Sequence, residues 1–382
     1  EVQQLIITSL SDKDAAGVID NLMADDAADL LEEMPANVVD KLLENARPDT
    51  RQAINHLLRY PEDSAGSIMT TEYISLRPSM TVDDAFTRIR RVGSNKETIY
   101  TCYVTLENRK LIGMVSVKDL LSSEYEDKIR DIMETNLVYV ETDTDKEEVA
   151  ATASKYDFLA VPVVDKERRL VGIVTIDDVI DVIQEENTED IEKMAAMLPS
   201  EKPYLRTSVF TTWKQRIPWL LLLMISATFT GKIINSFQDA LAANAALTAF
   251  IPMLMDTGGN SGSQASVTII RGMSLDEIEF SDIFKIIWKE LRVAILCGAT
   301  LAVCNFVKLL IVDRVTMPVA MIVCLTLVIT VIMAKFIGCT LPMLAKKAGF
   351  DPAVMASPFI TTIVDALSLI VYFTIATRLF GV

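Results

Sequence analysis

The feature that most limits what this chain can fold into is a change of character near residue 206, combined with one carboxylate that the new character ought to forbid. Residues 1–205 hold 42 acidic and 22 basic side chains; residues 206–382 hold 10 and 14 and consist mostly of long apolar runs. In the last run, Val354-Met-Ala-Ser-Pro-Phe-Ile-Thr-Thr-Ile-Val-Asp-Ala-Leu-Ser-Leu-Ile-Val-Tyr-Phe373, stands Asp365. An ionised side chain at bilayer depth costs about 3 kcal/mol on insertion scales and commonly marks an ion path. The two halves therefore read as an acidic sensor joined to a cation pore.

The acidity of the first half argues against nucleic acid and anionic membrane as its partners and suits cations or basic proteins. Five cysteines (Cys102, Cys297, Cys304, Cys324, Cys339) form no CxxC pair, and four lie in apolar runs, which fits a reduced setting. The single histidine, His56, falls in a helical stretch and excludes a His-based zinc site. No nucleophile–base constellation or phosphate-cradling loop is visible, so no enzyme is expected. Glu1 is not a natural initiator, so further chain is expected before it.

Residues 1–64 read as an acidic α-helical domain, with apolar positions Leu22, Met23, Leu30, Leu31, Met34, Val38, Val39, Leu42 and Leu43 at helical spacing. Asp25 and Asp29 lie at the start of one helix, where carboxylates oppose the helix dipole; helix capping and a cation site are both open.

Residues 65–128 and 129–186 form an internal repeat. Ala65-Gly-Ser-Ile-Met-Thr-Thr71 matches Ile129-Arg-Asp-Ile-Met-Glu-Thr135 at an offset of 64, and Ile112-Gly-Met-Val-Ser-Val-Lys-Asp119 matches Val171-Gly-Ile-Val-Thr-Ile-Asp-Asp178. Each copy reads strand, helix, strand, strand, helix, with helix starts at Thr81 and Thr144. The pattern resembles a tandem pair of α/β CBS domains, which implies a regulatory module for adenosine compounds or ions. On that resemblance Thr175 and Asp177 are candidate ribose contacts and ATP is a candidate ligand, although Ser116 and Lys118 replace them in the first copy.

Carboxylates crowd the second copy and its exit, including Asp143, Glu148, Glu185 and Glu186. A solvated face and a divalent-cation surface both fit such a run, because hard cations prefer oxygen ligands. Asn187-Thr-Glu-Asp190 then reads as the cap of a separate amphipathic linker helix over 187–206, ended by Pro199 and Pro203.

Residues 207–382 hold five hydrophobic segments, near 214–236, 241–271, 284–312, 316–346 and 352–380, each long enough to span a bilayer. Lys214, Arg216, Lys285, Lys289, Arg292, Lys346 and Lys347 place the acidic half in the cytoplasm and the C-terminus outside a plasma membrane. Five helices enclose a path poorly, so a homodimer with the pore between subunits is expected. In the second segment, Asp256-Thr-Gly-Gly-Asn-Ser-Gly-Ser-Gln264 admits close packing through small residues; Asn260 and Gln264, four apart, also suit a hydrated lining. In the fifth, Thr361, Thr362, Asp365 and Ser368 share one side, after a kink expected at Pro358. Mg²⁺ dehydrates reluctantly, so a hydrated ion held through its waters is favoured there.

The order of acidic helical domain, CBS pair, linker helix and five spans, with Gly-Gly-Asn-Ser-Gly-Ser-Gln264 and Ser357-Pro-Phe-Ile-Thr-Thr-Ile-Val-Asp365, resembles the MgtE family of magnesium channels and transporters over nearly the whole chain. The resemblance implies a multidomain membrane protein, a homodimer that admits Mg²⁺ to the cytosol and closes when cytosolic Mg²⁺ is replete. It implies that Asp365 is the pore ion site, lined with Asn260, Gln264, Thr361 and Ser368. Asp351 would share an ion with Glu189 or Asp190. Asp145, Glu147, Asp157, Asp178 and Asp181 would be sensor ligands, and Asp25 and Asp29 would bridge the helical domain to the CBS pair. Ser357 and Asp256 depart from the expected pattern. A proton- or sodium-coupled divalent transporter and a nucleotide-sensing membrane regulator are the competing readings.

Overall fold

The computed structural model describes residues 2–32, 34–200, 204–238, 242, 245–275, 277–355 and 357–380. It divides into two compact units, Glu1–Glu186 and Asn187–Val382. Pro203 and the start of the expected second hydrophobic segment lie outside the described residues.

Five short helices open the first unit: α1 (Val2–Ser9), α2 (Asp12–Ile19), α3 (Ala24–Glu32), α4 (Ala36–Asn45) and α5 (Pro48–Leu57). Asp12, Asp14, Asp25 and Asp26 occupy first turns, where the helix dipole favours them. The buried faces carry Ile19, Leu30, Leu31, Leu42, Ile54 and Leu57, and these share one core with Val149, Val161, Val163, Val174 and Val182 of the second repeat. Each such leucine or isoleucine contributes about 1.5–3 kcal/mol on burial. His56 is exposed and lies 3.2 Å from the Tyr60 hydroxyl.

The repeats follow as β1 (Ile74–Leu76), α6 (Val82–Val92), β2 (Thr101–Thr105), β3 (Leu111–Ser116) and α7 (Val117–Ser122), a short α8 (Ile129–Ile132), then β4 (Val140–Glu141), α9 (Lys146–Tyr156), β5 (Ala160–Val164), β6 (Leu170–Thr175) and α10 (Ile176–Met194). Each copy is a three-stranded sheet whose first strand runs parallel to the second and whose second runs antiparallel to the third. Both middle strands shift register at the equivalent place, Val104/Thr105 and Val163/Val164. Thr81 caps α6 as expected. The cap of α9 is Asp145, one residue later than the spacing suggests, because the Thr144 hydroxyl instead accepts the Glu141 N–H.

Sequence order hides an exchange between the copies. Thr70, ahead of β1 in the first copy, trades two backbone hydrogen bonds of 2.8 and 2.9 Å with Ile173 of the second, and Glu134, ahead of β4 in the second, does the same with Met114 of the first at 2.8 and 3.0 Å. A Cβ on Gly172 would stand 2.6 Å from Met69 Sδ, and one on Gly113 2.6 Å from Met133 Sδ. Only glycine leaves room for the crossing segments.

A separate linker helix is not formed: α10 runs unbroken from Ile176 through the Asn187–Asp190 caps to Met194. Nothing between Ile176 and Met194 breaks a helix, and cap residues are tolerated inside one when good formers flank them. The helix ends beside Ala196, which has φ +53°.

The second unit contains α11 (Val209–Ser236), α12 (Ile251–Ser274), α13 (Ile283–Ile311), α14 (Met317–Lys347) and α15 (Ser357–Phe380). Among the described residues, four stretches are long and apolar enough to cross a membrane: Val209–Ser236, Phe280–Ile311, Met317–Lys347 and Pro352–Leu379. The remaining helix, α12, is 24 residues long, or about 36 Å, but its polar residues keep it outside that class. Its Leu254 nevertheless joins a core with Val323 and Leu327 of α14 and Leu369, Tyr372 and Phe373 of α15.

Candidate functional site

Three groups of carboxylates carry the chemistry. The first lies among the apolar helices. Thr361 and Thr362, in the second turn of α15, both donate to the Pro358 carbonyl at 2.9 Å, the back-bonding usual for threonine within a helix. Asp365, one turn further on, is half-buried, and Asp256 of α12 lies near enough for the two charges to interact.

The glycine-rich run gives α12 two unlike faces. Cβ atoms on Gly258, Gly259 and Gly262 would meet Thr330 Cγ2 at 2.6 Å, Thr361 Cγ2 at 2.8 Å and Ile360 Cγ2 at 2.6 Å. The glycines thus let α14 and α15 approach closely. Asp256, Asn260 and Gln264, at four-residue intervals, form the other face and are exposed. Ser368 departs from the stripe expected of it. It is fully buried, with its oxygen 3.3 Å from the place of a Gly258 Cβ, because α12 covers that side of α15.

The second group sits where α10 ends. The Asp351 carboxylate accepts the Ala353 N–H at 2.8 Å through Oδ1. Its Oδ2 lies 2.7 Å from Lys193 Nζ, which is also 2.5 Å from Glu189 Oε1. The Lys193 ammonium thus lies between the two carboxylates for which a shared ion is expected. Burial lowers the tendency of Lys193 to hold its proton, but its hydrogen bonds to Asp351 and Glu189 outweigh this and hold it above the usual lysine range. Asp190 is pushed up by burial and by the Asp351 charge, against Lys193 and Arg271.

The third group belongs to the first unit. Asp25 is 8% exposed, and its carboxyl is pushed up to about 7 by burial, then by the charges of Asp178, Glu97 and Asp26. Asp29 rises to about 6 through desolvation and the charges of Glu32, Asp178, Asp26 and Glu185. Asp178 is raised by burial, against a 2.7 Å hydrogen bond from the Thr175 hydroxyl. That bond commits Thr175, an expected ribose contact, to the helix start, while Asp177 is exposed. Glu97, raised by desolvation and by Asp177, Asp26, Asp178 and Glu72, completes the cluster. Nothing in the sequence near Glu97 signals this, since only the fold carries that loop to α3 and α10.

Two of the remaining candidates sit at the ends of α9. Asp145 caps α9 through its bond to the Glu147 N–H, and Asp157 ends the same helix in the left-handed region at φ +54°. Asp145, Glu147, Asp157 and Asp181 are exposed. Among the described residues, no three His, Cys, Asp or Glu side chains gather closely enough to hold a metal ion directly.

Comparison with known proteins follows the same divisions. A family profile described as divalent cation transporter, MgtE, matches residues 251–375; the MgtE intracellular N domain matches residues 1–63, and the CBS domain matches 65–126 and 129–185. The magnesium transporter MgtE of Thermus thermophilus is 38% identical over 363 residues, covering 93% of this chain and 79% of the relative. That of Bacillus subtilis is 36% identical over 380 residues, covering 99% and 83%. The crystal structure of the soluble part of a magnesium transporter is 35% identical, with 48% of this chain and 72% of that chain covered and a TM-score of 0.48.

Proposed function

Since the chain belongs to the MgtE family of divalent cation transporters, we propose that it conducts Mg²⁺ into the cytosol through a pore between two copies of itself, and that divalent cations on its acidic surfaces close that pore. The observation that carries this reading is the exposed face of α12. Asp256, Asn260 and Gln264 are exposed on a helix packed among membrane-length helices. Such groups are not left against lipid, so water and a second subunit cover them.

In this reading Asp365 holds a hydrated Mg²⁺ through the ion's own waters. Two copies supply two such carboxylates, and Asp256 deepens the negative field of each. The first unit lies in the cytosol. At low divalent concentration Asp25, Asp29, Asp178 and Glu97 repel one another and α3 separates from α10; bound divalent ions neutralise and hold them. A near-complete switch needs about 5.5 kcal/mol of preference for the closed state, which several ions supply jointly.

The test is Mg²⁺ uptake by liposomes carrying the purified chain, wild type against Asp365→Ala, with no second ion gradient. Uptake lost in the variant supports the pore. Wild-type uptake that appears only with a proton or sodium gradient would replace the channel by a coupled transporter.

A further inference from the structure

One cation is already built into the place that the shared-ion reading gives to a divalent. Lys193 lies one turn after Glu189 on α10, and its ammonium spans the gap to Asp351, ahead of α15, at 2.5 and 2.7 Å. Glu189 and Asp190 from α10 and Asp351 from the turn before α15 are the carboxylates around it, with Arg271 of α12 acting on Asp190. Without a cation these three carboxylates would push the end of α10 away from Asp351. An ammonium on a flexible stem is a tethered ion whose local concentration never falls.

We propose that Lys193 is the resident occupant of this junction, bridging the end of α10 to Asp351 when no divalent ion is present, and that a divalent cation takes its place rather than joining it. The second clause rests on the reading that Glu189, Asp190 and Asp351 share an ion. A hydrated divalent ion contacting both carboxylates through water needs more room than an ammonium at 2.5 and 2.7 Å, so the two exclude each other. The exchange swaps one tethered charge for two free ones. It makes the junction graded: loss of the divalent ion leaves a weaker bridge in place of open repulsion.

Amine reactivity reads the exchange directly. The full chain in detergent micelles is treated briefly with acetic anhydride, and acetylation at Lys193 is measured by mass spectrometry against the same lysine in the unfolded chain. In divalent-free buffer Lys193 is expected to react several-fold more slowly than when unfolded. Asp351→Asn should release it, and millimolar Mg²⁺ should release it in the wild type. A Lys193 that reacts at the unfolded rate without divalent ions, or is unmoved by Asp351→Asn, overturns the bridge. Flux closure in liposomes carrying the same protein separates the two ideas. If Mg²⁺ closes the flux while Lys193 stays protected, the exchange is wrong and the shared-ion reading survives. If Mg²⁺ neither closes the flux nor frees Lys193, the shared-ion reading falls and takes the exchange with it.

Discussion

Gly338 of α14 meets the backbone carbonyl of Gly262 of α12 so closely that no Cβ fits between them. The polar face of α12 is aimed by this contact, since fixing one side of a helix against its neighbours orients the other. Gly338→Ala should therefore strain the unit by about 1–3 kcal/mol, the usual cost of overpacking, and lower its unfolding midpoint in detergent. Gly298→Ala is the control, because a Cβ there finds ordinary contact at 3.4 Å. Equal midpoints for the two variants would remove this account of α12.

Asp365 and Asp256 separate by role. Asp365→Asn should reduce Mg²⁺ uptake by at least tenfold, or about 1.4 kcal/mol of lost ion stabilisation. Asp256→Asn should reduce it less, since that side chain is exposed and acts through its field. Radiotracer or fluorescent Mg²⁺ uptake decides the order, and a larger loss at Asp256 would move the ion site to α12.

The acidic cluster makes a pH prediction with a definite sign. Asp25 sits at about 7 and Asp29 at about 6, both above the ordinary 3.8, so the folded unit binds more protons than the unfolded chain in that interval. Stability falls as pH rises from about 4 to 7, by up to about 1.4 kcal/mol per pH unit at buried Asp25, and the full penalty persists above. Asp29 is more exposed and contributes less. Unfolding of the first unit should thus shift to higher temperature at pH 5.5 than at pH 8, and Asp25→Asn should flatten the dependence. Mg²⁺ should raise the midpoint more at pH 8 than at pH 5.5. A midpoint that climbs with pH over this range would contradict the cluster.

The exchanged segments of the repeats give a local prediction. Gly172→Val would drive a side chain onto Met69 Sδ and onto the Thr70 carbonyl, 2.7 Å from the Cβ alone. The sulfur can move and the carbonyl cannot, so a loss of more than about 2 kcal/mol is expected. Hydrogen exchange should show the Thr70 and Ile173 amides losing protection together. Protection retained at both would mean that the crossing segment tolerates the added bulk.

The repeat, its strand order and four of the five expected membrane-length segments were legible in the sequence because they rest on local periodicity, hydropathy and short motifs that recur. The position of Asp365 was legible for the same reason: a carboxylate among apolar residues stands out without knowledge of its neighbours. Pairings across the chain were not. Glu97 gives no local sign of joining Asp25 and Asp178, and the crossing of Met69 onto Gly172 contradicts sequence order. The end of the second repeat's last helix was not legible, because Asn187–Asp190 looks like a cap, whereas α10 runs through it with Gln184, Glu185 and Glu186 ahead.

Sequence by itself determined which segments are apolar, which are acidic and where one charge sits in the wrong solvent, since hydropathy and charge belong to residues. Only the tertiary structure decided that α12 is glycine-packed on one face and polar on the other, that Ser368 is covered, and that Lys193 stands between Glu189 and Asp351. Those facts depend on distances between segments far apart in the chain, set by how closely backbones approach and which charges that approach brings together.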